Sequence, residues 1–212
     1  MKHTQNRSRK KNAIFLLTKL KKLVPNARMI LEYSNNWELL VAVVLSAQCT
    51  DVQVHKVTRT LFTKYRSLDE YVFADSKEFE QDIYSTGFYK HKTKNILAGA
   101  KVVKERFGGE IPKTIEELIS IPGVGRKTAN VVLGNAYGIV EGIAVDTHVK
   151  RFAKNVGLTE SDNSDRIERD LMDVLPQSEW FQFTYYAIEY GRQFCPARCT
   201  HQHCPLRMYI HT

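Results

Sequence analysis

The chain has 212 residues, enough for one large or two small domains, and 43% of them are hydrophobic, so a sizeable core can form. Its net charge of +8 fits a polyanionic partner. The longest apolar run, Leu39 to Leu45, is far too short to span a membrane, and the basic start MKHTQNRSRKKN lacks the apolar region of a secretory leader. The expectation is a cytoplasmic chain. It is expected to be monomeric, because no coiled-coil pattern or apolar interface stripe is present.

The basic start reads either as a frayed tail or as an extra phosphate contact. From Asn12 to Val24 an amphipathic helix is predicted, with Ile14, Leu16, Leu17, Leu20 and Leu23 on one face and Pro25 ending it. Trp37 to Ser46 is apolar nearly all round and predicts a central buried helix; Cys49 is read as standing alone in an apolar helix, as a small buried hydrophobe. Asp51 to Tyr65 carries Val54, Val57, Leu61 and Phe62 at helical spacing. Short helices are expected at Leu68 to Ala74 and Lys77 to Tyr84. After a turn at Gly87, a long helix runs from Tyr89 to Phe107, stopped by Gly108 and Gly109. Lys90, His91, Lys92 and Lys94 crowd its first turns, where cations oppose the helix dipole. They read either as a solvated face or as phosphate contacts.

The stretch Thr114 to Asp146 organises the rest. Thr114 and Glu117 have the spacing of a capping box, so a short helix starts there, with Ile115, Leu118 and Ile119 on its apolar face. Pro122, Gly123 and Gly125 break it. A second helix is predicted from Arg126 to Tyr137, closed by Gly138. Glycines at the turn let the backbone adopt positive φ and approach another segment closely. Bare N–H groups at the following helix start favour an anion, and DNA phosphate suits a basic chain. Lys127 lies in the first turn of that helix, where the dipole disfavours a cation and so favours the neutral amine a nucleophile needs. Asp146 follows in Val-Asp-Thr-His-Val, where an aspartate is also an ordinary N-cap. Further helices are expected after Asp146, near Asp165 to Leu175 and from Glu179 to Tyr190. No period-2 alternation occurs, so the fold class is all-α.

IPGVGRKTANVV followed by VDTHVKR resembles the helix-hairpin-helix plus Gly/Pro/Asp signature of the endonuclease III family of DNA repair glycosylases. LSAQCTD (Leu45 to Asp51) and YGRQFC (Tyr190 to Cys195) match as well, so the resemblance covers nearly the whole chain. It implies a six-helix barrel at about 29–139, containing the hairpin. A second helical domain would combine 1–28 with 140–212, with a DNA cleft between the two. It implies a bifunctional glycosylase and lyase on damaged, oxidised pyrimidines in double-stranded DNA, with the nucleotide flipped out of the stack. Lys127 would form a Schiff base, and Asp146 would stabilise positive charge on the sugar and manage the amine's proton. Gln48 would fill the gap left by the flipped base, or be a polar helix end. Phe88, where the family has leucine, would wedge into the duplex, or belong to the core. Gly123, Gly125, Arg126 and Lys90 complete the expected DNA-binding set. A protein that only bound DNA would need neither Lys127 nor Asp146.

The C-terminus breaks the family pattern. Four cysteines separated by six, two and five residues would hold a [4Fe–4S] cluster. Here the end reads CPARCTHQHCPLRMYIHT. Cys195 and Cys204 match two ligands, Cys199 is displaced, and the fourth position falls on Ile210. His201, counted back from Cys204, stands in a ligand position, with His203 and His211 nearby. A [4Fe–4S] cluster with histidine or an open iron site, a zinc ion, and no metal all remain open.

Overall fold

The computed structural model describes residues 2–210, with side chains from residue 8 onward. The described residues form eleven α-helices and short 3₁₀ turns, without strands. None of the helices is long and apolar enough to cross a membrane. The chain divides into two compact units: residues 30–139 form one, and residues 1–29 with 140–212 form the other.

The first helix, α1, runs Lys2–Leu23, and so begins well before the predicted Asn12. The apolar stripe starts only at Ala13, but the preceding Lys- and Arg-rich stretch contains no breaker and extends the helix at little cost. Its backbone is helical rather than frayed. Leu16, Leu17 and Leu20 are buried on it, whereas Ile14 lies outside the stripe at 46% exposure. Arg9 donates through Nη2 to the Leu158 carbonyl.

The continuous unit begins with α2 (Asn36–Ser46), whose residues Trp37 to Val43 and Leu45 are all buried. Asn35 caps it by accepting from the Glu38 amide at 2.9 Å, and the Glu38 carboxylate accepts from the Ser34 amide at 2.6 Å. Next come α3 (Asp51–Lys64), α4 (Leu68–Val72) and α5 (Ser76–Ile83), capped by Thr50, Ser67 and Asp75. A 3₁₀ turn at Tyr84–Thr86 leads into α6 (Tyr89–Phe107). Tyr65, Tyr71 and Phe79 pack edge-on or tilted with centroids 5.2–5.8 Å apart, and Trp37 joins them through Tyr71 at 5.3 Å. Such contacts add to the area each ring buries. The hairpin helices α7 (Ile115–Ile119) and α8 (Arg126–Tyr137) close the unit, α8 packing on both α7 and α2. Gly108 and Gly138 end α6 and α8 in the left-handed conformation, as their positions predict.

The discontinuous unit packs α1 against α9 (Thr147–Asn155), α10 (Ser164–Val174) and α11 (Trp180–Gln193) around one core. That core joins Leu16, Leu17 and Leu20 to Val149, Phe152, Ile167, Leu171, Phe183 and Tyr190, and continues into Cys195, Cys204 and Leu206. The C-terminal segment is therefore an integral part of the core.

Candidate functional site

The hairpin is built as its residue types require. Thr114 accepts from the Glu117 amide at 3.3 Å, while the Thr114 hydroxyl donates to the Glu117 carboxylate at 2.8 Å. Only half of the predicted capping box forms, because that carboxylate binds the hydroxyl rather than reaching back to the backbone. Gly123 has φ +82°. A Cβ there would lie 2.7 Å from the Cβ of Asn95 on α6, a separation that real side chains do not reach. The two glycines differ in kind. Gly125 is extended, at φ −97° and ψ 174°, and serves as the N-cap of α8 with open space where a Cβ would stand. Arg126 and Lys127 follow in the first turn of α8, and both are exposed. A helix start with no side-chain cap and no acid in its first turn favours an anion there.

Two more predicted positions carry a signal that the sequence does not show. Among the described residues, the non-glycine positions at positive φ are Gln48 at 53°, Phe88 at 49° and His201 at 63°. Such conformations cost energy and persist where neighbours hold them, often at functional sites. Gln48 is exposed in the turn after α2. Phe88 precedes α6 and is 65% exposed, so it lies outside the core. Cys49 sits in the same turn as Gln48, half-buried, instead of in the apolar helix expected for it.

The lysines at the start of α6 divide. Lys90 and Lys94 are exposed, but Lys92 is only 4% exposed. Its ammonium donates to the Leu45 carbonyl at 2.8 Å and to the Thr86 carbonyl at 2.9 Å. Burial holds its pKa below the ordinary lysine value, partly offset by Cys49. The first carbonyl belongs to the end of α2, just before Gln48. The second lies just before Gly87 and Phe88. One buried amine thus ties together the bases of both strained turns. Helical position shows lysines at 90, 92 and 94, but the fold is needed to see that Lys92 points inward.

In the other unit, Asp146 caps α9. Its Oδ1 accepts from the amides of His148 at 2.9 Å and Val149 at 2.8 Å, so capping does not consume Oδ2. The same helix binds the C-terminal segment. Arg151 donates to the Cys195 carbonyl at 3.0 Å, and the Asn155 amide approaches the Cys195 sulfur at 3.9 Å. α9 and α11 approach so closely at Gly191 that a Cβ there would lie 2.5 Å from the His148 ring.

Cys195, Cys199, His201 and Cys204 bring one donor atom each to within 4.8 Å of one another, a set that could bind a metal. The Cys199 and Cys204 sulfurs are 3.2 Å apart. His201 Nδ1 lies 3.5 Å from the Cys195 sulfur and 3.7 Å from that of Cys204. The His201 amide donates to the Cys199 sulfur at 3.3 Å. Cys195 and Cys204 are buried, while Cys199 and His201 are half-buried. His203 is exposed and Ile210 half-buried, and His211 lies outside the described residues.

Residues 41–177 match the family described as HhH-GPD superfamily base excision DNA repair protein. The chain is 48% identical to endonuclease III of Synechocystis sp., over 90% of this chain and 87% of that protein. Among solved structures, a non-covalent endonuclease III–DNA complex superposes with a TM-score of 0.91 at 41% identity, covering 95% of this chain and 94% of that one. A trapped endonuclease III–DNA covalent intermediate has the same TM-score and identity, covering 95% of each chain.

Proposed function

Because the chain belongs to the HhH-GPD superfamily of base excision DNA repair proteins, and within it to the endonuclease III family, we propose that it is a DNA glycosylase and AP lyase acting on damaged bases in duplex DNA. The observation that carries this reading is the hairpin ending in an exposed lysine, on a chain similar to one captured as a covalent intermediate with DNA. Oxidised pyrimidines are the proposed substrates.

In this reading Lys127 attacks the anomeric carbon of the flipped nucleotide as the free amine. The carbon–nitrogen glycosidic bond breaks and the base leaves with its electron pair, taking up a proton. After the amine gives up one proton, its lone pair forms the C=N bond as the bond from the anomeric carbon to the ring oxygen breaks. That oxygen takes up a proton, the sugar ring opens and a protonated Schiff base results. A proton then leaves the neighbouring sugar carbon, the bond from the sugar to the 3′-phosphate breaks, and the strand is nicked by β-elimination. The Asp146 carboxylate stabilises the positive charge that builds on the sugar and helps manage the amine's proton. Its double amide bond on Oδ1 supports this role, since it fixes the carboxylate while leaving Oδ2 outside the cap.

Gln48 and Phe88 enter the duplex at the flipped nucleotide. Gln48 offers a planar amide to the orphaned base, and Phe88 an aromatic face that can stack as well as displace. Gly123, Gly125 and Arg126 hold phosphate at the hairpin, and Lys90 adds a further contact. Cys195, Cys199, Cys204 and His201 hold a metal in a structural role. They lie behind α9, so metal binding stiffens the helix whose first turn Asp146 caps. The protein works as a monomer on DNA.

The test is nicking of abasic-site duplex, with borohydride trapping of the Schiff base. Wild-type protein should nick and cross-link. Lys127→Gln should abolish trapping while retaining DNA affinity. Undiminished trapping by that variant would overturn the assignment of the nucleophile. A wild-type protein that binds the duplex without nicking would instead be a helix-hairpin-helix binder.

A further inference from the structure

We infer that the C-terminal Cys/His centre is a single-ion tetrahedral site of three sulfurs and one nitrogen, made for zinc, and that it replaces the four-iron cluster the family resemblance implies. The inference rests on the proposal that these four residues bind metal, and it decides which metal.

Size separates the two metals. Ligands that share one zinc ion stand about 2.3 Å (sulfur) and about 2.0–2.1 Å (nitrogen) from it, so tetrahedral neighbours are about 3.5–3.8 Å apart. The closest donor pairs here are 3.2, 3.5 and 3.7 Å apart, and no pair exceeds 4.8 Å. A four-iron cube assigns each ligand its own iron. Its ligand atoms therefore sit outside the body of the cube, roughly 6 Å or more from one another. Four donors inside 4.8 Å cannot surround it.

The local chain is shaped for the smaller ion. All four donors come from ten consecutive residues, Cys195 to Cys204. A run this short can fold around one ion. His201 takes a left-handed conformation with φ 63°, and in it Nδ1 faces Cys195 and Cys204 while its own amide faces the Cys199 sulfur. The Asn155 amide is directed at the Cys195 sulfur. N–H groups aimed at ligand sulfurs stabilise thiolates and orient them toward a metal. Four-iron clusters are most often held by four thiolates, whereas zinc readily accepts three thiolates with an imidazole.

The experiment is metal analysis of full-length protein purified without oxygen from medium supplied with both iron and zinc, followed by zinc K-edge X-ray absorption. The expected result is one zinc per chain and neither iron nor acid-labile sulfide. The zinc shell should contain three sulfurs at about 2.3 Å and one nitrogen at about 2.0–2.1 Å. His201→Cys should keep the zinc with four sulfurs. His201→Ala should weaken it by about 100-fold or more in chelator competition, beyond the loss typical of an outer-shell partner. Four irons with sulfide would overturn the size argument and leave the metal reading standing. A protein that binds no metal would overturn both. Abasic-site nicking reports separately on the catalytic assignment.

Discussion

Lys92 is a residue whose chemistry opposes its location. An ammonium is costly to bury, yet this one is withdrawn from solvent in the middle of a lysine-rich surface. Its return is two backbone acceptors. The Leu45 carbonyl lies in the last turn of α2, where carbonyls lack helical partners, and the Thr86 carbonyl ends a 3₁₀ turn. Lys92→Met keeps the length and apolar stem but leaves both carbonyls without that donor. We expect a loss of about 1–3 kcal/mol in stability. Base excision from duplex should fall much more than nicking at an abasic site in a single strand, because Gln48 and Phe88 lose their shared anchor. Equal loss on both substrates would reduce Lys92 to a core residue. The lowered pKa sets a pH sense as well. The charged form is disfavoured in the fold, so the burial cost is fully present below the folded pKa. It is relieved as pH rises from there toward the ordinary lysine value. Stability of wild type relative to Lys92→Met should therefore improve as the pH becomes alkaline, measurable by urea unfolding across that range.

At the scale of elements, the hairpin makes two glycines unequal. Gly123→Ala meets both a positive φ and the Cβ of Asn95, so it should cost ~1–3 kcal/mol and weaken DNA binding by displacing α8 from α6. Gly125→Ala has an allowed conformation and open space, and should change the melting temperature little. Comparing the two melting curves checks the claim. The sequence marks both as breakers but cannot rank them, because the neighbour that decides is Asn95, distant along the chain. Helix existence was easier to read. Tyr89–Phe107 and Arg126–Tyr137 begin and end where glycines and caps place them. The all-α class follows from the same periodicity. The start of α1 was not legible, since a polar helical stretch has no stripe to mark it. Nor was the strain at Gln48 and Phe88, which arises from how their turns are anchored rather than from their own side chains. In the C-terminal segment, spacing revealed a departure from the family. The donor distances that separate one ion from four exist only once His201 has turned into its left-handed conformation.

For the whole molecule, the division at residues 29 and 139 gives two units of different construction. Residues 30–139 are continuous and contain their own aromatic cluster and buried central helix. As an isolated fragment they should unfold cooperatively on heating, followed by circular dichroism. Residues 1–29 alone should show no cooperative transition, since a lone helix of this length is marginal in water. Broad, non-cooperative melting of the 30–139 fragment would mean that it depends on the rest of the chain.

The placement of α1 against α10 and α11 also imposes an order on biosynthesis. Translation delivers α1 before α10 and α11, with the whole continuous unit emitted in between. At about 5–20 residues per second, the leucine stripe of α1 waits on the order of ten to thirty seconds for the surface that covers it. The continuous unit can mature beside the ribosome during that interval, while the other end of the nascent chain remains an open, sticky flank for holding chaperones. The cysteine segment emerges later still. In the metal-binding reading, capture therefore follows the synthesis of all eleven described α-helices, and cells short of metal should accumulate chains that are half finished rather than wholly unfolded.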